Sequence, residues 1–389
     1  MHLGRTVFAQ ILDYLPRHDF DKCIRQYDGN WHTRYFSCFD QFLCMAFAQL
    51  TGRESLREIE TCLNAMHSKL YHCGLRGSIA RSTLADANHQ RDGHIYYDFA
   101  QVLIRIARSL YAHDSFGVEL EETTYALDST MIELCRSLFP WAYYQRDRGA
   151  VKLHSMIDLR GNIPCQIYIS DGKTYDTVLL DRLEPEPGAI YIMDRAYIDF
   201  ARLAIFTEHL AYFVVRARGN LAYSRRAYRS VDYSTGLRSD QTIALRTRHS
   251  AQRYPYPLRY ISYFDADQEQ RLVFLTNHFP LEALKITQLY KCRWQIELFF
   301  KWIKQHLRIK TFYGTSHNAV CTQIWIAISV YALLATIKKS LNLERSISEI
   351  QQILSITLFE QSPLSQVLTR KMPQTEEIDL CNQLSLFNL

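Results

Sequence analysis

Cysteine pairs of the kind that bind zinc or carry redox chemistry are missing from this sequence. Its 389 residues include ten scattered cysteines, and no two of them form a C-x-x-C pair, so neither a zinc site nor a redox motif is indicated. A signal peptide is also missing, and we therefore expect reduced thiols in a cytoplasmic protein. We find no internal repeat and no low-complexity tract, which is typical of globular domains.

Acidic residues are scarce in one long window. Residues 216–260 contain ten arginines and only two acids, Asp232 and Asp240, so ten less two gives a net charge of +8. Since the whole chain carries only +5, much of the positive charge lies here. Six interleaved tyrosines could stack on bases while arginines bind phosphates, which favours a nucleic-acid surface. The alternative is a solvated β-rich surface. The first four arginines are the candidate ligands: Arg216, Arg218, Arg225 and Arg226.

The most apolar late stretch of the chain is AVCTQIWIAISVYALLATI, at residues 319–337. It is long enough to span a membrane. However, it contains Thr322, Gln323 and Ser329 and stands alone near the end of the sequence. We therefore expect a buried core helix and no membrane partner.

The length exceeds what one hydrophobic core usually serves, so several domains are expected. Short apolar strand patterns alternate with helical ones between residues 120 and 215, which predicts a mixed α/β sheet. Five segments follow from the changes in pattern: a helical N-terminal domain (1–115), the first part of an α/β core (116–215), a basic β-rich insertion (216–275), the second part of the core (276–340) and a helical C-terminal tail (341–389).

The N-terminal segment contains two helix-start signals. Ser55 followed by Glu58 predicts a capping box. Residues 70–91, LYHCGLRGSIARSTLADANHQR, predict a helix, a glycine-containing turn and a second helix that starts at Ser82 or Thr83. This pattern is compatible with helix-turn-helix DNA binding and equally with any helical hairpin.

One predicted helix, LYKCRWQIELFFKWIKQHL at 289–307, carries a single acid among several cations. Residues three or four apart share a helix face. One face collects the polar side chains: Tyr290, Arg293, Glu297, Lys301, Lys304 and Arg308. The opposite side is apolar and is expected to dock on a core. Local ion pairs of Glu297 with Arg293 and Lys301, each worth about 0.2–0.5 kcal/mol, explain this face as well as a functional site does.

Two further acids stand in strand patterns. Asp128 interrupts TTYALDST at 123–130, and Asp194 ends AIYIMD at 189–194. An acid in a buried strand is costly unless it meets a cation or reaches the sheet rim. If both converge with Glu297, their mutual repulsion calls for cations, and oxygen ligands favour magnesium or manganese. Each acid taken alone is explained as well by a local cap or salt bridge.

The spacing Tyr290-x2-Arg293-x3-Glu297-x6-Lys304 resembles the Tyr-Arg-Glu-Lys signature of bacterial DDE transposases of the insertion sequence four family. ALDST around Asp128 and IMDRAYID around Asp194 resemble the surroundings of the family's first and second aspartates. SLREIE and STLADANHQRD resemble the helical domain that one subgroup carries at its N-terminus. The resemblance covers roughly residues 10 to 340.

This resemblance implies an α/β fold with a ribonuclease H-like mixed-sheet catalytic core, interrupted by a β-rich insertion and preceded by an α-helical domain. It implies that Asp128, Asp194 and Glu297 are catalytic and bind two Mg²⁺ or Mn²⁺ ions. Three residues of the signature helix would contact double-stranded DNA: Tyr290, Arg293 and Lys304, with Lys301 beside them.

The implied activity is cut-and-paste DNA transposition. Water would cut the element's terminal inverted repeat from the flanking DNA, and the freed 3′-hydroxyl would attack target DNA. The family also implies a homodimer on DNA and a nucleoid-associated protein in the cytoplasm. Two alternatives stay open: a DNA-binding regulator without cleavage, and a metal-dependent nuclease of the same fold.

Some relatives release the element through a DNA hairpin with help from a tryptophan in the insertion. The five tryptophans of this chain all lie outside residues 216–275, which argues against that route. Asp171 and Asp176 flank a glycine turn, and we expect a turn role for them. Lys152 and His154 are weaker candidates for DNA contact, since a histidine on a strand is more often structural.

Overall fold

The structure, a computed structural model, describes residues 4–145, 148–219, 221–307 and 312–369, apart from the side chains of residues 145, 306 and 307. The predicted position of Arg308 and the tail beyond residue 369 lie outside the described residues. The helices are α1 (Val7–Leu12), α2 (Arg17–Gln26), α3 (Cys38–Thr51), α4 (Leu56–Ala65), α5 (His67–Leu70), α6 (Arg81–Gln90), α7 (His94–Tyr111), α8 (Phe200–Glu208), α9 (Arg248–Arg253), α10 (Ala283–Cys292), α11 (Trp294–Leu307), α12 (His317–Ser340), α13 (Ile347–Thr357) and α14 (Leu364–Thr369).

The strands form one mixed sheet. They are β1 (Thr124–Cys135), β2 (Tyr143–Gln145), β3 (Arg148–Asp158), β4 (Ile163–Asp171), β5 (Ile190–Met193), β6 (Tyr212–Arg216), β7 (Tyr223–Arg229), β8 (Leu237–Leu245), β9 (Leu258–Asp265) and β10 (Gln270–Thr276). β1, β3 and β4 pair antiparallel, whereas β5 and β6 run parallel to β1. This arrangement confirms the predicted ribonuclease H-like mixed sheet.

The basic insertion continues the sheet. The strand order is β2-β3-β1-β5-β6-β10-β9-β8-β7, with β4 also paired to β3. β10 lies antiparallel to β6, and β9, β8 and β7 follow it in antiparallel pairs. The insertion is therefore attached to the core through backbone hydrogen bonds, and β7 is its outer strand.

Alternating side chains divide the sheet between two hydrophobic clusters. Ala126 and Ile192 face a cluster that also includes the N-terminal helices and α11, α12 and α13. Tyr125 and Tyr191 face the other cluster, which includes α8. Successive strand residues point to opposite faces, so this division follows from the period of two. The N-terminal helices thus share a core with the α/β segment, although they precede it in sequence.

Helix α12 contains the apolar stretch that is long enough to span a membrane. Its 24 residues pass the length and hydropathy test for a span, but 94% of the tested window is buried inside the protein. Trp325 packs edge-on against Tyr97 of α7, with ring centroids 4.7 Å apart. The predicted core helix is confirmed, since its apolar surface is covered by other helices and the sheet.

The helix predicted over residues 289–307 consists of two helices that meet at Arg293. The N–H of Arg293 bonds to the carbonyl of Tyr290, and the N–H of Ile296 bonds to the carbonyl of Arg293. These tighter three-residue steps interrupt the regular four-residue ladder and separate α10 from α11. The prediction of one continuous helix was therefore wrong at Arg293, which is a residue of the Tyr-Arg-Glu-Lys signature.

The helix starts in the N-terminal segment differ in outcome. Ser55 accepts the N–H of Glu58 as predicted, while Glu58 reaches back to the N–H of Glu54. α6 starts at Arg81, so the start at Ser82 or Thr83 was wrong. The N–H of Arg81 donates to the Glu60 side chain at 2.9 Å, which supplies the acceptor that an N-cap hydroxyl would otherwise provide.

One ion pair of the insertion is part of the core. Arg259 and Asp240 bond at 2.7 and 2.9 Å, and their side chains are 3% and 5% exposed. Asp240→Ala would leave the buried guanidinium without its anion, so we expect a loss of about 3–5 kcal/mol in the free energy of unfolding. Urea denaturation measures it. Arg238→Ala, at an exposed arginine of the same strand, should stay within about 0.5 kcal/mol. Equal effects would contradict this assignment.

Candidate active site

Two neighbouring parallel strands bring the first two acids together. Leu127 of β1 pairs with Met193 of β5, so the next residues, Asp128 and Asp194, stand at adjacent strand positions. Neighbouring strands lie about 4.8 Å apart. Leu127 and Met193 both belong to the α8 cluster, and the alternation of side chains then directs both aspartates to the opposite face, toward α11.

Helix α11 adds the third acid through Arg293. The Nη1 of Arg293 donates to Oδ2 of Asp128 at 2.7 Å, and Nη2 donates to Oε1 of Glu297 at 2.6 Å. One guanidinium therefore bridges two of the predicted catalytic carboxylates, one from the sheet and one from the helix. The predicted local pair between Arg293 and Glu297 exists, but it is one half of a tertiary contact.

The carboxyl of Asp128 is in an unusual electrostatic position. Burial raises the pKa of Asp128 from its ordinary 3.8 to about 6, against the attraction of Arg293 and with a further push from Asp194 and Glu297. The raised pKa shows that the guanidinium of Arg293 offsets only part of the cost of ionising Asp128 in this buried, acidic position. Additional positive charge at this position would stabilise the ionised form.

The donor set is chemically suited to divalent metal. Carboxylate oxygens are the preferred ligands of Mg²⁺ and Mn²⁺, and Asp128, Asp194 and Glu297 supply only such oxygens. Within the part of the chain that the structure describes, no three Asp, Glu, His or Cys side chains form a group that could hold a metal ion. Arg293 donates to one oxygen of each of two carboxylates, so a metal that used these oxygens would compete with the guanidinium.

Two open pockets meet at Glu297. One has a volume of about 490 Å³ and is lined by Asp128, Lys301 and Lys304 as well as Glu297. The other, of about 560 Å³, is lined by Asp194, Arg216, Tyr290, Arg293 and Glu297. Acids on one side and cations on the other are what a phosphate chain approaching the carboxylates would meet.

The signature tyrosine is a partly covered core residue. Tyr290 is 9% exposed, and its ring lies 4.7 Å from that of Phe274. Burial raises the pKa of its hydroxyl further, although Arg293 opposes the rise. A hydroxyl with a raised pKa is a poor nucleophile, so hydrogen bonding to a phosphate suits this position better.

The insertion arginines do not form one surface. Arg216 is half-buried and lines the pocket of Asp194, whereas Arg218 is exposed in the segment that follows β6. Arg225 and Arg226 are exposed on β7, at the outer edge of the sheet. Positive charge on an edge strand also prevents edge-to-edge pairing between sheets. DNA binding by these four residues stays a prediction.

The charge count of the basic window needs one correction. Arg259 and Asp240 neutralise each other in the core, so neither contributes to a DNA surface. Sequence counting treated every arginine as exposed, because nothing local distinguishes a buried arginine whose partner lies on the neighbouring strand. The accessible charge of the window is carried by the other arginines.

A polar cluster on the opposite face of the sheet was missed. Asp176 accepts hydrogen bonds from Ser129, the neighbour of Asp128, and from Lys152, whose Nζ lies 2.7 Å away. Burial raises the pKa of Asp176, but the bonds from Lys152 and Ser129 lower it overall. Asp176 therefore anchors β1 beside the site. The turn role predicted for it was too narrow, because the side-chain bond from Ser129 of β1 joins residues 47 apart in sequence.

The other weak candidates have structural roles. Asp171 accepts three bonds, from the backbone N–H groups of Lys173 and Thr174 and the hydroxyl of Thr174, which confirms its turn role. His154 is buried, bonds to Ser170 at 2.9 Å, and burial lowers its pKa to about 4. A neutral, buried histidine is not suited to phosphate contact.

Three residues near Asp194 were also missed. Trp294, 58% exposed, lines the same pocket, as do Asp265 and Asp267 from the turn between β9 and β10. Trp294 directly follows Arg293, so its position in the signature could have indicated it. The two acids come from the insertion and reach the site because β10 and β9 continue the core sheet.

Comparison with known proteins assigns this site to a family. Residues 119–333 match the family described as Transposase DDE domain, and residues 3–76 match a domain of unknown function, DUF4372. The matched DDE region covers more than half of the chain and contains all three predicted catalytic acids. The chain therefore belongs to the DDE transposase family, and the resemblance to insertion-sequence transposases is confirmed.

Three curated relatives are named as transposases. The chain is 31% identical over 245 residues to the putative transposase y4zB of Sinorhizobium fredii, and the aligned region covers 62% of this chain and 68% of that protein. It is 31% identical over 212 residues to the probable transposase for insertion sequence element IS5377 of Geobacillus stearothermophilus, spanning 54% and 55%. It is 25% identical over 331 residues to the putative transposase for IS4SA of Synechocystis, spanning 81% and 87%.

The raised pKa of Asp128 predicts a pH-dependent stability. The folded protein holds the proton of Asp128 up to about pH 6 and the unfolded chain only to about pH 4, so the free energy of unfolding falls as the pH rises between these values. Asp128→Asn removes this loss. Urea denaturation in EDTA measures the free energy of unfolding of both proteins. The value for the variant minus that for wild type should increase by about 2 kcal/mol between pH 4.5 and 7.5.

Asp181→Asn is the matched control for this measurement. The hydrogen bond from Arg202 lowers the pKa of Asp181 below its ordinary 3.8, so its ionised form already contributes fully above about pH 4. The difference between this variant and wild type should therefore stay constant between pH 4.5 and 7.5. A difference between wild type and Asp128→Asn that does not change with pH would show that Asp128 titrates normally.

Proposed function

We propose that this protein is a DNA transposase that cuts the ends of an insertion sequence and joins the freed 3′-hydroxyl to target DNA. The observation that supports this most directly is the convergence of Asp128, Asp194 and Glu297 from two adjacent strands and one docked helix. The family to which the chain belongs consists of transposases. The geometry of the acids favours a catalytic member of that family over one that only binds DNA.

Each acid has a distinct structural support in this proposal. Asp128 is held by the sheet and by the Ser129–Asp176 bond behind it, Asp194 by the end of β5, and Glu297 by α11. Two divalent ions bound by these carboxylates would lower the pKa of water and stabilise the leaving oxygen. The residues of the chain therefore hold the ions and orient the DNA, and no covalent protein intermediate is needed.

The reaction has two displacements at phosphorus. Water attacks the phosphodiester at the element end, the bond from phosphorus to the 3′-oxygen breaks, and that oxygen takes up a proton. The resulting 3′-hydroxyl then attacks a phosphodiester of the target, loses its proton and displaces another 3′-oxygen. The cations of the site and one tyrosine hydroxyl hold the phosphate chain on which both steps occur: Arg216, Arg293, Lys301 and Lys304, with Tyr290.

The proposed partners are double-stranded DNA with terminal inverted repeats, target DNA and a second copy of the chain bound to DNA. We place the protein in the cytoplasm with the nucleoid, where its substrate lies. The exposed residues Arg218, Arg225 and Arg226 are proposed to extend DNA contact along the insertion, away from the acids.

Cleavage should depend on the acids in a metal-dependent way. With a duplex that carries the inverted repeat flanking the coding sequence, wild type and Mg²⁺ should give a nick at the element end. Asp128→Asn, Asp194→Asn and Glu297→Gln should each reduce the rate at least about a hundredfold, because a metal ligand is lost. Gel analysis of labelled strands measures the nick.

Asp171→Asn is the matched control, since Asp171 is an exposed acid of a turn and should leave cleavage intact. Joining of the 3′-end to a second duplex distinguishes a transposase from a nuclease that only cuts. Full cleavage by Asp128→Asn would refute the assigned site, and binding without any cleavage by wild type would favour the regulator.

DNA binding should weaken steeply with salt. Each phosphate contact contributes about 0.9 to the slope of log affinity against log salt. Arg225→Gln with Arg226→Gln should reduce that slope by about 1 to 2, since two phosphate ligands are lost. Fluorescence anisotropy between 50 and 300 mM KCl measures it. The pair Lys22→Gln with Arg25→Gln, on α2, removes the same charge elsewhere; an equal effect would show that net charge alone is responsible.

A further inference from the structure

Arg293 makes a contact that a surface helix pair does not make. Its two terminal nitrogens bond to two different carboxylates, those of Asp128 and Glu297, and its side chain is 17% exposed. Its Nε is buried and has no hydrogen-bond partner among the described residues. The guanidinium is therefore committed to holding a strand acid and a helix acid together, and one of its donors remains available.

Arg293 takes one oxygen of each carboxylate, Oδ2 of Asp128 and Oε1 of Glu297. A divalent ion held by these same two oxygens would compete with the guanidinium, and the two positive charges would repel each other. Metal binding through these oxygens thus requires that Arg293 release at least one of the acids.

The surroundings of Arg293 offer it a second position. It stands at the junction of α10 and α11, where the helical hydrogen bonds change register. Its guanidinium lies 5.8 Å from the ring centre of Tyr290, and it lines a pocket with Arg216 and Lys291. Lys291 is already paired with Asp265 at 3.2 Å, and Asp194 and Asp267 line the same pocket. A phosphate there would therefore depend on Arg216 and on Arg293, whose planar fork suits phosphate as well as carboxylate.

We propose that Arg293 is a positioning residue with two mutually exclusive partners. In one arrangement it holds Asp128 and Glu297 together; in the other these acids bind divalent ions and Arg293 binds a phosphate of the DNA strand. Metal and DNA then favour each other through a single side chain, and by linkage each raises the affinity for the other equally. This inference rests on the proposed function of the site.

Metal binding without DNA tests the first half. Mn²⁺ is titrated into the full chain, and the free ion is measured by electron paramagnetic resonance. Arg293→Gln should bind Mn²⁺ about tenfold more tightly than wild type, because the competing cation is gone. Arg293→Lys keeps the charge without the fork and should lie between the two. A purely structural role predicts the opposite, since acids that lose their support would bind the ion more weakly.

Arg25→Gln, on α2, is the control for net charge. It removes one exposed positive charge from a residue that lines neither pocket beside the acids, so Mn²⁺ affinity should change less than about threefold. Equal tightening in Arg25→Gln and Arg293→Gln would assign the effect to net charge and overturn the proposal. Unchanged or weaker binding by Arg293→Gln would overturn it too.

DNA binding tests the second half. Anisotropy of a labelled duplex is compared in EDTA and in Ca²⁺, which also binds carboxylate oxygens. Ca²⁺ should tighten DNA binding of wild type and of Arg25→Gln by similar factors, and that of Arg293→Gln several-fold less. Equal factors in all three proteins would remove Arg293 from the coupling.

The same data separate this inference from the proposed function. Asp128→Asn and Glu297→Gln should weaken Mn²⁺ binding in the wild-type background. If wild type and Arg293→Gln both fail to bind Mn²⁺ at these acids, the metal site and the proposed chemistry fail with the inference. If binding depends on the acids but is indifferent to Arg293, only the inference fails.

Discussion

The ion bridge between Asp128, Arg293 and Glu297 joins the sheet to the helix that carries the signature. Asp128 stands at a position where burial and two acidic neighbours oppose its charge, and the guanidinium at 2.7 Å is its nearest compensation. The same guanidinium bonds to Glu297 at 2.6 Å. An acid cluster of this kind is unstable without cations, so the electrostatics that oppose folding here are also those on which the proposed metal binding rests.

The mixed sheet determines which residues can reach that cluster. Parallel pairing of β1 with β5 puts Asp128 beside Asp194, and the antiparallel continuation through β10 and β9 carries Asp265 and Asp267 to the same pocket. The insertion is thus part of the scaffold of the site, and its exposed arginines extend outward from it. Placement of α11 over the aspartate face is supported from behind by α12, whose apolar surface the N-terminal helices complete.

Much of this was predictable from sequence patterns. The core helix α12 and the mixed α/β sheet were predicted in this way, and the three acids and the cations of the signature helix were identified as candidates. The errors have common physical causes. The break at Arg293 arises from a change in backbone hydrogen bonding, the start of α6 from a side chain 21 residues away, and the burial of Arg259 from its partner on the next strand. The last two depend on contacts between residues distant in sequence, which local propensity does not encode, whereas the break is a local change of hydrogen bonding that the apolar periodicity does not reveal.

The sequence by itself determined the types of side chain and their periodicity: which strands are apolar, which residue of each is an acid, and which helix face is polar. These features depend on neighbours along the chain, where the geometry of helix and strand is known in advance. Only the tertiary structure decided that Arg293 bridges Asp128 and Glu297, that Asp176 supports β1 from the other face, and that Arg259 is neutralised in the core. Those pairings depend on strand register and helix docking, which are set by the packing of the whole chain.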